Sequence, residues 1–190
     1  MTDSDILQIL EKTGALLTGH FELRSKLHSN RFFQCANVLK WPREAQKLCT
    51  ELVDRMKAAG DIGRVDAVIS PALGGILVGH EVAKALDTQC IFAEKDNGVL
   101  VMRRFSVKKG ERYVVAEDVI TRGGRVQETI DLVKAAGGEV AAVLVLVDRS
   151  SGNAKFDYPT FSLLTMAPEV WEPKDCPLCA AGEPFVHPGS

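Results

Sequence analysis

Residues 113–147 read YVVAEDVITRGGRVQETIDLVKAAGGEVAAVLVLV and contain a complete strand–helix–strand unit. Residues 113–116 are rich in β-formers, residues 125–136 repeat apolar side chains with helical spacing, and residues 140–147 are apolar throughout. A strand that is apolar on both faces is typical of a parallel sheet covered by helices on both sides. The unit therefore predicts an α/β fold with a doubly wound, mainly parallel sheet flanked by helices.

The same alternation is present upstream of this unit. Residues 65–69 and 89–93 are short β-rich runs, and residues 76–86 between them have helical spacing. The dipeptide formed by Asn97 and Gly98 then separates two further β-rich runs. Because Asn-Gly is a strong signal for a tight hairpin, we expect an antiparallel β-hairpin to project from the sheet there.

The first sixty residues have a less regular pattern. Residues 41–60 are clearly amphipathic with helical spacing, which predicts a long helix. Residues 5–17 also carry apolar side chains at roughly helical spacing and predict an opening helix, with Asp3 or Ser4 as its cap. Residues 20–38 mix aromatic and basic side chains without a long period, so we expect short strands in that segment.

Length and composition set limits on the domain organisation. The chain has 190 residues, of which 46% are apolar and 25% are charged, so it can bury a substantial core and fits one compact domain. We expect a single domain over residues 1–190, with an amino-terminal segment 1–40, a core 62–150 and a Pro-rich tail 168–190. The net charge of −2 provides no general attraction for nucleic acid or an anionic membrane, so neither is predicted as a partner.

The sequence contains no membrane-spanning or targeting pattern. The longest apolar run, residues 140–147, is far shorter than the roughly 20 residues that cross a bilayer. The first five residues are acidic and lack the basic region of a secretory leader. We therefore expect a cytoplasmic protein.

The residues that follow the 113–116 strand have unusual chemistry. Glu117 and Asp118 come first, and residues 121–125, Thr-Arg-Gly-Gly-Arg, lead into the next helix. Ligands of open α/β sheets lie beyond the carboxyl ends of the strands. Paired carboxylates there can accept hydrogen bonds from vicinal hydroxyls, and a glycine turn into a helix offers free amides to a phosphate. The combination predicts a sugar phosphate ligand, although an acidic strand end or a glycine turn alone is common without one.

A second glycine loop occupies the equivalent place after the 65–69 strand. Residues 70–75 read Ser-Pro-Ala-Leu-Gly-Gly and precede a helix. Adjacent glycines allow an anion to approach the backbone closely, so this loop is a candidate for a second phosphate cradle. By itself it is more often a structural turn, and the neighbouring acidic loop raises the odds of a site.

Other nucleotide-binding motifs do not fit. Gly74 and Gly79 have the spacing of a P-loop, but His80 and Glu81 stand where that loop requires Lys and Ser or Thr. A glycine-rich dinucleotide-binding fingerprint follows none of the predicted strands, which argues against a Rossmann dehydrogenase. His80 is interpreted as a helix-surface residue because a zinc-protease helix needs a second histidine.

The five cysteines do not form a recognisable disulfide or metal pattern. Cys35, Cys49 and Cys90 lie in apolar segments, which is typical of reduced core thiols. Cys176 and Cys179 offer two thiols for a metal, with His187 as a distant third candidate. A four-ligand zinc site is not evident from these spacings.

The motif at residues 117–125 resembles the 5-phosphoribosyl 1-diphosphate (PRPP) motif of type I phosphoribosyltransferases. Within that superfamily the chain resembles the orotate phosphoribosyltransferases. The matching segments extend over nearly the whole chain: His20-Phe-Glu-Leu-Arg-Ser, His28-Ser, Ser70-Pro-Ala-Leu-Gly-Gly, Phe92-Ala-Glu-Lys95, Val147-Asp-Arg149 and Cys176-Pro-Leu-Cys with Pro184. The resemblance implies the type I fold, with residues 1–40 as a hood that borders the base.

The resemblance also implies an activity and its requirements. The family transfers a phosphoribosyl group from PRPP to orotate, giving orotidine 5′-monophosphate and diphosphate in pyrimidine synthesis. It works as a homodimer and uses Mg²⁺ that is carried by PRPP, with no direct protein ligand for the metal. Displacement of diphosphate requires electrostatic stabilisation rather than a covalent nucleophile, and the chain offers cations and glycine-loop amides for that purpose.

Individual roles follow from matching each motif to the family. The PRPP-binding set implied by the two loops is Glu117, Asp118, Val119, Ile120, Thr121, Arg122, Gly123, Gly124 and Arg125, together with Ala72, Leu73, Gly74 and Gly75. The set that contacts orotate would be Thr121, Arg149, Arg24, Phe32 and Phe33, with Arg149 meeting the carboxylate. The catalytic set would be Asp118 and the cations Lys95, Arg103 and Arg104, which lie on or beside the hairpin and would neutralise the leaving diphosphate, in the same subunit or across the dimer.

The chain departs from the family pattern at three positions. Arg122 and Arg125 stand where small residues are usual, and Lys26 replaces a residue that is commonly Gly. Two other hypotheses therefore stay open beside the enzyme. One is a regulatory protein of the same fold that binds PRPP or a nucleotide without turnover, and the other is a phosphoribosyltransferase for another base.

Overall fold

The computed structural model describes residues 1–23 and 25–188. Within these residues the chain forms nine strands: β1 (Leu16–Glu22), β2 (His28–Phe33), β3 (Ala67–Pro71), β4 (Gln89–Asp96), β5 (Val99–Val101), β6 (Arg112–Ile120), β7 (Glu139–Asp148), β8 (Thr160–Thr165) and β9 (Val170–Trp171). The helices are α1 (Asp3–Lys12), α2 (Ala36–Leu39), α3 (Pro42–Ala59), α4 (Gly74–Leu86), α5 (Gly124–Ala135) and α6 (Pro177–Ala180).

The main sheet has six strands in the order β5-β4-β3-β6-β7-β8. All neighbours in it are parallel except β4 and β5, which form an antiparallel hairpin with Asp96 paired to Val99. The predicted parallel sheet and the predicted hairpin at Asn97 and Gly98 are both confirmed. Because the strands are parallel, the carboxyl ends of β3, β4, β6 and β7 all lie at one edge.

Strand β7 explains why the core has two halves. Leu144 and Leu146 pack into a cluster with α1, α3 and α4, whereas Val143 and Val145 pack into a second cluster with α5. Successive side chains of a strand point to opposite faces, so a strand buried on both sides must be apolar at every position. The run of residues 140–147 is therefore the signature of a doubly covered central strand.

The amino terminus differs from the prediction. The helix α1 ends at Lys12, and Leu16 lies in β1, so the opening helix expected to extend to residue 17 is wrong at its far end. Gly14 adopts a φ of 72°, a left-handed conformation that ends the helix and redirects the chain. The cap is Thr2 rather than Asp3 or Ser4, because Thr2 and Asp5 form a reciprocal capping box.

Two further differences concern strand boundaries. Strand β6 runs to Ile120. Glu117 and Asp118, which the sequence places after the strand, therefore lie within the part of β6 that pairs with β7. Strands β8 and β9 were not predicted. Strand β9 pairs with β2 in a second sheet of order β1-β2-β9, so the tail joins the amino-terminal segment.

Among the described residues no helix combines the length and the apolar character needed to cross a membrane.

Candidate active site

The acidic pair Glu117 and Asp118 lies near the carboxyl end of β6. Glu117 is only 6% exposed, and burial together with the neighbouring Asp118 carboxylate raises the pKa of Glu117 to about 9. Burial also raises the pKa of Asp118 above its ordinary value. In the unliganded protein the raised pKa favours a protonated Glu117 carboxyl at neutral pH. A protonated carboxyl can donate as well as accept a hydrogen bond, so the pair can bind hydroxyl groups of a ligand.

The glycine loop after β3 packs directly against this pair. A Cβ on Gly74 would lie 2.5 Å from Oδ2 of Asp118, and a Cβ on Gly75 would lie 2.9 Å from Oε1 of Glu117. Glycine is required at both positions because any side chain would occupy the space next to the carboxyl oxygens. The amide of Ala72 donates to the carbonyl of Ala93 at 2.8 Å, which ties the loop to the end of β4.

The loop between β6 and α5 surrounds a cavity of about 250 Å³. Gly123 begins the turn with a φ of +80°, and an added Cβ there would lie 2.9 Å from Cζ of Phe156. A Cβ on Gly124 would meet nothing within 4 Å, so the backbone faces open space at the start of α5. The lining residues are Val119, Ile120, Thr121, Arg122, Gly123, Gly124, Arg125, Val126 and Glu128.

The two unusual arginines of this loop have different environments. Arg122 is exposed. Arg125 is half-buried, its Nη1 atom is buried without a hydrogen-bond partner among the described residues, and its charge opposes the rise in the pKa of Glu117. The guanidinium of Arg125 thus acts electrostatically on the acidic pair from the wall of the cavity.

Arg149 lies at the same sheet edge, directly after β7. Its amide donates to the carbonyl of Ile120 at 2.8 Å, and Ile120 is paired with Asp148 across β6 and β7. Burial lowers the pKa of Arg149, and its Nε atom is buried without a hydrogen-bond partner in residues 1–23 and 25–188. The neighbouring Asp148 carboxylate accepts a hydrogen bond from the amide of Ser150 at 2.7 Å, and no ion pair joins it to Arg149 among the described residues.

Comparison with known proteins identifies the relatives of this chain. A family model for the phosphoribosyl transferase domain matches residues 35–178. The orotate phosphoribosyltransferase of Desulforamulus reducens is 51% identical over 191 residues, covering 100% of this chain and 98% of the relative, and that of Pelotomaculum thermopropionicum is 49% identical with the same coverage. The crystal structure of orotate phosphoribosyltransferase from Aeropyrum pernix matches with a TM-score of 0.68 and 26% identity, over 84% of this chain and 93% of that one.

The chain belongs to the orotate phosphoribosyltransferase family. The base-contacting residues that the family resemblance implies are only partly brought together. The Cζ atom of Arg149 lies 5.9 Å from the centre of the Phe33 ring, so these two side chains share a wall. Phe32 instead packs against Phe21, with ring centres 6.1 Å apart. Arg24 lies outside the described residues.

The cationic residues expected of an orotate phosphoribosyltransferase lie on and after the hairpin. Lys95 is exposed in β4 and is paired with Leu100 of β5. Arg103 is exposed, and the Nη1 atom of Arg104 forms an ion pair with Oε1 of Glu94. In the described part of the chain, none of the three cations has a hydrogen bond or ion pair to the acidic pair.

Two further residues lie close to the site: Ser70, the first residue of the predicted 70–75 phosphate loop, and Cys35, which the sequence predicts as a reduced core thiol. Ser70 is fully buried before the glycine loop, and its Oγ atom has no hydrogen-bond partner among the described residues. Cys35 is buried with its Sγ atom 3.8 Å from the carbonyl oxygen of Asp118. Burial and the Asp118 charge raise the pKa of the Cys35 thiol far above its ordinary value, so it acts as packing beneath the pair rather than as a nucleophile.

Proposed function

We propose that this chain transfers the 5-phosphoribosyl group of PRPP to orotate, giving orotidine 5′-monophosphate and diphosphate. The observation that carries the proposal is the close approach of the Gly74 and Gly75 backbone to the Glu117 and Asp118 carboxyls. It joins a glycine loop and an acidic pair at the edge where the 250 Å³ cavity opens. These three neighbouring elements support separate binding of a diphosphate, a sugar and a phosphate along one edge of the sheet.

Each part of PRPP has a matching element. The ribose hydroxyls donate to the Asp118 carboxylate and exchange hydrogen bonds with the Glu117 carboxyl. The 5′-phosphate occupies the cavity lined by residues 119–126, where the free amides at the start of α5 and the α5 dipole favour an anion. The diphosphate lies against residues 72–75, whose glycines allow close approach to the backbone.

Orotate is recognised by Arg149 together with Thr121. The Nε atom of Arg149 needs a partner, and a planar carboxylate can accept two parallel hydrogen bonds from a guanidinium. Phe33 supports the guanidinium from one side. Placing the base there sets it at the same sheet edge as the ribose hydroxyl site, one strand away from Asp118.

The reaction places positive charge on the anomeric carbon and negative charge on the departing diphosphate. Lys95, Arg103 and Arg104 provide cations on a projecting element that can approach the diphosphate, provided that Arg104 exchanges Glu94 for the ligand. Mg²⁺ prefers oxygen ligands and would be held by the phosphate and hydroxyl oxygens of PRPP, whose ribose hydroxyls Asp118 and Glu117 would bind. When bound, Mg²⁺ supplies charge neutralisation for the leaving group.

We also propose that the chain acts as a homodimer in the cytoplasm. Leu73 is 83% exposed and Leu77, one helical turn later on α4, is 49% exposed. Large apolar side chains that are adjacent and exposed favour a protein interface next to the glycine loop.

The direct test follows the loss of orotate absorbance with PRPP and Mg²⁺, with uracil and adenine as alternative bases. We expect turnover of orotate alone, and a loss of about ten- to a hundredfold in kcat/KM for Asp118→Asn with an unchanged Tm. Calorimetric titration with PRPP is the matching control. Binding of PRPP without turnover of any base would refute the enzyme and support the regulatory alternative, and preferred turnover of another base would refute orotate as the substrate.

A further inference from the structure

Four metal-binding side chains converge away from the active site. His20 lies in β1, His28 lies in β2, and Cys176 and Cys179 flank and occupy α6. One donor atom of each residue lies within 4.8 Å of the donor atoms of the other three. The Nε2 atom of His20 is 2.8 Å from Nδ1 of His28, 3.4 Å from Sγ of Cys176 and 3.8 Å from Sγ of Cys179.

A bulge in β1 brings the two histidines to the same side of the sheet. Thr18 is paired with Arg31, but Phe21 is paired with Ser29, so β1 contains one extra residue in this interval. Without that residue His20 would be opposite Ser29 and would point away from His28, because side chains alternate along a strand. The bulge restores a common face, and the tail then brings both thiols to it.

The spacing of the donor atoms matches tetrahedral zinc. Zn–N bonds of about 2.0 Å and Zn–S bonds of about 2.3 Å place tetrahedral ligand atoms roughly 3.3–3.8 Å apart. The distances from sulfur to nitrogen fall close to this range, including 3.2 Å between Sγ of Cys179 and Nδ1 of His28. Only the two imidazole nitrogens, at 2.8 Å, must separate slightly to admit an ion.

The surroundings orient the ligands as a metal site requires. The Nδ1 atom of His20 lies 2.8 Å from the carbonyl oxygen of Glu183, which can only accept, so Nδ1 carries the proton and Nε2 presents its lone pair to the cluster. The ring of Phe185 contacts both imidazoles, with centres 5.6 Å from His20 and 4.9 Å from His28. His20, His28 and Cys176 are buried, so water has little access to these donors.

We propose that His20, His28, Cys176 and Cys179 bind one structural Zn²⁺ that fastens the tail to the amino-terminal sheet. Four protein ligands fill a tetrahedral shell and leave no open position, which is the property of a structural rather than a catalytic site. Mixed thiolate and imidazole ligands select zinc over Mg²⁺. The third candidate ligand from the sequence, His187, lies elsewhere, with its Nδ1 atom 3.5 Å from Oε1 of Glu22.

The test measures metal content in protein purified from zinc-supplemented cells without chelators. Elemental analysis is expected to give about one Zn²⁺ per chain in the wild type, and far less in Cys176→Ser and Cys179→Ser. Cys90→Ser is the matched control, because Cys90 is half-buried in β4 and outside the cluster, and it should retain zinc. Replacement by Co²⁺ should give the intense visible bands of a tetrahedral site with thiolate charge transfer.

A second measurement covers the case in which the serine variants fail to fold. Metal-stripped wild-type protein is titrated with Zn²⁺ while hydrogen exchange is followed, and residues 176–187 should become protected with one equivalent of Zn²⁺ but not with Mg²⁺. Substoichiometric zinc in the wild type, equal zinc in the cysteine variants, or a disulfide between Cys176 and Cys179 in freshly prepared protein would each overturn the proposal.

Discussion

Replacing Arg149 with alanine separates a ligand-binding arginine from a structural one. The Nε atom of Arg149 is buried without a hydrogen-bond partner in the described residues, and its backbone rather than its side chain is held by Ile120. The substitution removes the cation–π contact with the Phe33 ring, which stabilises the fold by about 0.5–1 kcal/mol. It also removes the buried Nε donor that has no partner among the described residues, and this removal stabilises the fold by a similar amount. The free energy of unfolding should therefore change by no more than about 1 kcal/mol, or roughly 2–4 °C in Tm.

The effect on orotate should be much larger. A charge-assisted hydrogen bond in a partly desolvated site contributes about 1.5–3 kcal/mol, which corresponds to roughly ten- to a hundredfold in the Kd for orotate. Arg149→Lys should recover only part of this, because an ammonium group cannot reproduce two parallel hydrogen bonds. Binding of PRPP should be nearly unchanged, since the glycine loop and acidic pair remain intact.

Calorimetric titration of each ligand and thermal unfolding of the same samples provide the two readouts. Arg55→Ala is a suitable control, because Arg55 is a partly buried arginine that bonds to Glu51 at 3.0 Å and to the carbonyl oxygen of Leu163 at 3.0 Å. It should lose at least about 1 kcal/mol of stability while keeping its orotate affinity. Equal weakening of orotate and PRPP binding by Arg149→Ala, or unchanged orotate binding with a lower Tm, would refute the role of Arg149.

Three further outcomes are expected. Because burial and the Asp118 charge raise the pKa of Glu117 well above its ordinary value, the folded protein holds this proton at pH values where the unfolded chain has released it, so stability should fall as pH rises above the ordinary pKa of a glutamate. Denaturant titrations at a series of pH values should show a flatter profile for Glu117→Gln, and an unchanged profile would refute the buried, protonated carboxyl. Gly74→Ala would place a Cβ 2.5 Å from the Asp118 carboxylate, so PRPP affinity measured by calorimetry should fall more than about tenfold, and unchanged affinity would separate the glycine loop from the site. Lys95→Ala and Asp118→Asn chains are each expected to have reduced activity, and their mixed dimers should recover activity if the hairpin acts on the partner's site. Confirmed heterodimers without such recovery would restrict the hairpin to its own subunit.

Local patterns predicted the main sheet well. The apolar run at residues 140–147, the long amphipathic helix at residues 41–60 and the Asn97 and Gly98 turn each have a cause within a few residues, and each is confirmed. Strand β9 could not be predicted in this way, because Val170 and Trp171 form a strand only by pairing with β2, more than a hundred residues earlier. Leu16 was assigned to a helix since apolar spacing there fits either structure until Gly14 turns the chain.

The candidate site was predicted at the level of residue types but not of environment. The sequence identifies two glycine loops and an acidic pair, and the parallel sheet requires them to share one edge. It contains no signal that Gly74 approaches Asp118, that Glu117 is buried enough to stay protonated, or that Cys35 lies beneath the pair. For the same reason the sequence does not predict that His20 and His28 are close together, because it is the β1 bulge that places both rings on one face.

The active site and the tail cluster use one physical principle in two ways. In both, the fold buries polar groups at a cost that a ligand can offset: among the described residues the Nε atom of Arg149 has no hydrogen-bond partner, the Glu117 carboxyl is buried beside Asp118, and four metal-binding donor atoms converge at the tail. Such groups lower the stability of the unliganded chain, and a ligand restores it by supplying the missing partners. At the sheet edge those partners must be hydroxyls and anions, because the free groups are carboxyls, amides and a cation. At the tail the partner must be a single positive centre, because nitrogen lone pairs and thiolates converge from four directions on one point.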